Sequence, residues 1–99
     1  MIVEPGEGYQ IMGDVLVMGS ADGQGFAYYL LEFALGSPPD ESAWRPLGPE
    51  VAVPATDGFL GTWQTAGLEP GDYTLRLSVY DVSGNEMSAQ VVVDVVAGS

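Results

Sequence analysis

Apolar residues fall at every second position in short runs, and nowhere do they recur every three to four residues long enough to make a helix. The clearest run is 73–80, where Tyr73, Leu75, Leu77 and Val79 alternate with Thr74, Arg76, Ser78 and Tyr80. A strand of that pattern turns one face to a core and lends the other to a mixed surface. Residues 26–35 repeat it, with Ala27, Tyr29, Leu31 and Phe33 in one phase and Tyr28, Leu30 and Glu32 in the other. Residues 14–18 bring Val15 and Val17 into phase with Gly19 and Ala21. Runs at 9–12, around Trp44, at 59–65 and at 87–96 bring the predicted strands to seven.

Turn chemistry separates these runs. The chain holds 14 Gly and 7 Pro, spread almost evenly, which leaves room for strands of ordinary length and little else. Ser37-Pro38-Pro39-Asp40-Glu41 blocks a ladder because proline donates no hydrogen bond. Asp81-Val82-Ser83-Gly84-Asn85 reads as a hairpin turn, and Ala66-Gly67-Leu68-Glu69-Pro70-Gly71-Asp72 as a corner. The expectation is a single all-β domain over residues 1–99, a seven-stranded antiparallel β-sandwich.

Strand phase then sorts the side chains. Tyr29, Leu31 and Phe33, with Leu75, Leu77 and Val79, are expected inside. The opposite phase puts Tyr28, Leu30 and Tyr80 outside, with Val92 on the closing strand, as one apolar docking patch. Glu32 and Arg76 share that outer phase and are expected to pair across neighbouring strands. Both tryptophans, Trp44 and Trp63, are expected in the core, since no disulfide supports so short a chain.

Composition narrows the chemistry. The chain has no Cys and no His, so thiolate nucleophiles, cysteine zinc sites and the commonest general base are missing. No enzyme activity and no cofactor are expected. Against 14 Asp and Glu stand 2 Lys and Arg, a formal net charge of −12, which repels nucleic acid and anionic lipid alike. The longest apolar stretch, near 91–97, is broken by Asp94 and far too short to span a bilayer, so no membrane insertion is expected. The opening MIVEPGEGYQ lacks the basic and apolar regions of a signal peptide.

Two oxygen-rich or aromatic sets remain as candidates. Asp81, Ser83, Asn85 and Glu86 cluster in one turn with the donor type calcium prefers, yet their spacing is not that of an EF-hand and suits a plain hairpin. Tyr28, Tyr80, Trp44 and Trp63 are candidates for stacking on sugar rings if their faces are open to solvent.

The segment Gly67-Leu68-Glu69-Pro70-Gly71-Asp72-Tyr73-Thr74-Leu75-Arg76-Leu77 resembles the corner of fibronectin type III and related immunoglobulin-like domains. The resemblance implies that Leu68 and Tyr73 clamp the connection, with the Tyr73 hydroxyl bonded to a backbone carbonyl a few residues upstream. A longer order is similar to bacterial immunoglobulin-like modules of exported proteins, penicillin-binding proteins among them. It runs from Gly13-Asp14-Val15-Leu16-Val17 through Tyr29-Leu30-Leu31-Glu32-Phe33 and Trp63-Gln64-Thr65 to Asp81-Val82-Ser83-Gly84-Asn85. Gln64 stands where such modules usually have Asp. The resemblance implies a non-catalytic spacer or docking domain of an extracellular or cell-envelope protein. Its partners would be neighbouring domains and possible cell-wall glycan, and the excised domain would be a monomer or weak homodimer. The alternative is a carbohydrate- or cell-wall-binding module.

Overall fold

The computed structural model describes residues 2–96, apart from the side chain of Asp57. Alternation carries directly into strands. Phe26–Leu35 forms β4, Gly71–Asp81 forms β7 and Glu86–Val95 forms β8, three long antiparallel neighbours. They make the centre of a five-stranded sheet of order β2-β8-β7-β4-β5, with β2 at Gln10–Ile11 and β5 at Arg45–Pro46. A second sheet of order β1-β3-β6 joins Ile2–Glu4, Asp14–Ala21 and Ala55–Gln64. Among the described residues there is no α-helix, only a 3-10 turn at Glu41–Ala43.

The all-β expectation holds, but the count and the sense of pairing do not. Eight strands form among the described residues, and β2 runs parallel to β8 rather than antiparallel. The reason lies in the opening residues. Pro5 offers no backbone donor and Gly6 and Gly8 loosen the chain, so an unpredicted strand at Ile2–Glu4 is held apart from the predicted run at 9–12, which pairs only over Gln10–Ile11. The piece before the break joins β3, and the piece after it crosses to the other sheet. Backbone bonds from Gly8 to the Val92 carbonyl at 2.7 Å and from Asp94 to the Tyr9 carbonyl at 2.8 Å fasten it there.

The two sheets face one another across a core of Trp63, Leu75, Leu77, Val17, Val93 and Val95, each side chain fully buried. Side chains of this size contribute about 1.5–3 kcal/mol each on burial, which makes this layer the main source of stability in a chain with no cysteine. Phe33, half-buried at its margin, meets the buried Trp63 and Tyr73, with ring centroids 5.3 to 6.3 Å apart. Tyr29 crosses the layer as well: its hydroxyl donates to the Leu60 carbonyl at 2.7 Å. That carbonyl belongs to a bulge, since Val17 pairs with Gly61 and Met18 with Phe59, leaving Leu60 over. Gly61 sets the spacing here, because a Cβ on it would come within 2.9 Å of Leu31 Cδ1.

Trp44 is not in the core. It lies half-buried just before β5, on the outside of the five-stranded sheet, with the Arg76 guanidinium 3.9 Å from its ring centre. A cation on an aromatic face satisfies the ring and holds the charge partly out of water, so the pair settles together on the surface.

Candidate functional site

The outer face of the five-stranded sheet is built row by row from the register. Tyr28 lies opposite Tyr80, and Tyr80 opposite Glu86. Leu30, Ser78 and Ser88 make the next row, and Glu32, Arg76 and Gln90 the one after. Ala34, Thr74 and Val92 follow, then Asp72 opposite Asp94. The four expected docking residues, Tyr28, Leu30, Tyr80 and Val92, therefore share one face, and all are half-buried. They do not form one continuous apolar patch. The Glu32–Arg76 row, with Trp44 against it, separates Val92 from the other three.

Much of this face is satisfied within the domain. The Tyr28 and Tyr80 rings stack on each other, centroids 4.6 Å apart and planes 23° from parallel. Arg76 Nη2 donates to Glu32 Oε1 at 2.7 Å, forming the expected pair, with side chains only 20% and 15% exposed. Burial pushes the Tyr80 phenol up from its ordinary pKa, and the nearby Glu86 carboxylate pushes it further. The ring therefore stays neutral well above physiological pH.

The corner has the geometry the resemblance implied. Tyr73 is buried, and its hydroxyl donates to the Glu69 carbonyl at 2.9 Å. Burial raises its pKa first and the Glu69 charge second, while the bond to the carbonyl opposes both. Leu68 packs half-buried against the core, and its amide donates to the Thr65 carbonyl at 3.0 Å. Thr65 in turn donates to the Gly13 carbonyl from both its amide, at 3.0 Å, and its hydroxyl, at 2.7 Å. The corner is thus tied to the turn before β3.

The hairpin carboxylate is spent inside its own turn. Asp81 Oδ1 accepts from the amides of Ser83 and Asn85, each at 2.9 Å, and Oδ2 accepts from Asn85 Nδ2 at 3.1 Å. The Asn85 amide, above all, holds the carboxyl below the usual aspartate range. Gly84 completes the loop at φ +87°, a conformation glycine reaches without a Cβ clash. Among the described residues, no group of three or more Asp or Glu converges as a metal site.

Strand phase alone missed the other sheet. Leu16 and Met18 sit on its outer face, with Thr62 opposite Leu16 and Phe59 opposite Met18. Leu16 is 58% exposed and Phe59 54%, far more open than any residue of the expected patch. Phe59 also lines an apolar crevice of about 250 Å³ between β6 and the segment 47–51. The signal for Leu16 and Met18 was their alternation with Val15 and Val17. For Phe59 no local signal existed, because the bulge at Leu60 resets the phase of β6. Compared with protein-family models, with curated proteins and with solved structures, the chain matches none.

Proposed function

We infer that this chain is a non-catalytic accessory module, a β-sandwich of the immunoglobulin-like or fibronectin type III-like kind, that spaces or docks within a larger protein. Its motifs resemble those of modules in exported bacterial cell-envelope proteins such as penicillin-binding proteins, and that is the setting proposed. The Tyr73 corner and the two-sheet strand order support the fold reading. The observation that carries the docking reading is the outer face of the five-stranded sheet. There Tyr28, Leu30, Tyr80 and Val92 remain partly open to solvent.

Glycan binding has weaker support. A sugar stacks on an open ring face, whereas the Tyr28 and Tyr80 faces cover one another and the Trp44 ring already holds Arg76. The test is hydrogen exchange of β4, β7 and β8 in the parent chain and in the 99-residue chain alone, with Leu30→Asp in both. Extra protection of that face in the parent, lost in the variant, is expected. Equal exchange in both chains would overturn docking through this face, and protection induced by soluble cell-wall glycan would favour the alternative.

A further inference from the structure

The geometry points to a second contact surface, on the opposite side of the sandwich: the free edge of β6 takes an extended, basic segment of a partner protein, with one apolar side chain entering the crevice beside it. Three observations carry this. First, β6 is ten residues long and pairs only with β3 among the described residues. Its far edge offers backbone donors and acceptors to an incoming strand, apart from the Leu60 carbonyl that Tyr29 occupies. The strand carries neither Pro nor Lys to blunt that edge, and its bulge at Leu60 limits pairing to the stretches on either side.

Second, the crevice along that edge is lined by Leu31, Leu47, Val51, Phe59 and Leu60 and measures about 250 Å³. Small-molecule pockets run roughly 300–1,000 Å³, so this one suits one or two apolar side chains better than a free ligand. An added strand presents its side chains alternately to the two faces. One set would reach the crevice that Phe59 helps to line, and the other would face away from it.

Third, charge decides what the segment carries. The chain has 14 acids and 2 bases, and one base, Arg76, is spent on Glu32. Glu50 sits in the segment 47–51 that walls the crevice across from β6. It is exposed and has no ion-pair partner among the described residues. A second copy, at −12 itself, is repelled, while lysines or arginines flanking an apolar residue are attracted.

The experiment is an NMR titration of the 99-residue chain with a ten-residue peptide of alternating valine and lysine. Its controls are the valine–glutamate peptide and a lysine peptide N-methylated at alternate amides. The expected result is amide shifts confined to β6 and residues 47–51. Affinity should fall with NaCl, be lost on N-methylation, and drop about tenfold in Phe59→Ser, whose ring is too exposed to matter for folding. Three results would each overturn the proposal: equal binding of the glutamate peptide, shifts scattered over all the carboxylates, or no shift at millimolar peptide. Shifts centred on Tyr28 and Tyr80 would overturn it too while leaving docking through the five-stranded sheet standing.

Discussion

The two outer faces of the sandwich both carry apolar side chains and treat them differently. On the five-stranded sheet each outward residue of β7 from Thr74 to Tyr80 has a neighbour on both sides. Tyr80 thus finds Tyr28, and Arg76 finds both Glu32 and the Trp44 ring. On the three-stranded sheet β1 is only three residues long and reaches no further than Met18 and Gly19. Leu16 and Phe59 are left with Thr62 and Met18 as cross-strand partners and stay more than half exposed. Sheet width, then, decides whether an outward apolar side chain is covered from within. The narrow sheet keeps the open surface, and the wide one has tied most of its surface together.

That contrast can be broken most forcefully from below, through the core both faces share. Trp63→Ala removes the largest fully buried ring, which contacts Phe33 and Tyr73. The expected cost is about 3–5 kcal/mol, read as a lower urea midpoint. Leu16→Ser and Phe59→Ser on the narrow sheet should change stability by no more than about 0.5 kcal/mol. If either costs several times that, the narrow face is internally tied as well and the contrast fails.

On the wide face the matching change is Arg76→Met. It strips the donor from Glu32, which is 15% exposed, and the cation from Trp44. Partial solvent access softens the loss, so about 1–3 kcal/mol is expected in a urea melt. A double change with Glu32→Gln should recover part of it, because the stranded carboxylate is then gone. A loss below about 0.5 kcal/mol would show the pair to be an ordinary surface bridge.

Legibility in the sequence followed the same division. Alternation located β4 and β7 to within a few residues, because both faces of those strands are chemically distinct. It could not reveal β1: three residues, Ile2, Val3 and Glu4, carry no periodicity, and only pairing with β3 makes them a strand. The corner was readable because Leu68, Glu69 and Tyr73 are close in sequence, so its hydrogen bond is local. Trp44 was misplaced because its position is set by Arg76, thirty-two residues on. Phe59 and the crevice went unread because covering or exposing a side chain is a property of neighbouring strands, not of its own.

The corner gives a smaller effect. Tyr73→Phe keeps the ring in the core and removes the bond to the Glu69 carbonyl, which lies near the surface where water can replace it. About 1 kcal/mol is expected from thermal or urea unfolding. Identical midpoints would mean that the hydroxyl contributes nothing and that ring packing alone holds the corner.

The smallest effect concerns Tyr80, on the wide outer face. Tyr80 has its pKa raised by burial and then by Glu86, which lies opposite it on β8. A phenol whose folded-state value is raised ionises less readily in the fold than in the unfolded chain. Its contribution to stability is therefore whole below about pH 10 and lost as the pH climbs through the raised value. Tyr29 and Tyr73 behave in the same sense, since burial raises both, so alkaline loss of stability should begin above about pH 10. Glu86→Gln removes the nearest carboxylate charge acting on Tyr80 and leaves its burial unchanged. Its ionisation, followed through ring carbon shifts in labelled protein, should move down toward the ordinary value without reaching it, because burial is the larger cause. Tyr29 and Tyr73 should titrate unchanged. If the Tyr80 titration does not move, Glu86 is too well solvated to act on the ring. If it falls all the way to the ordinary value, the Tyr28–Tyr80 stack shelters the phenol less than its geometry requires, and the wide face is as open as the narrow one.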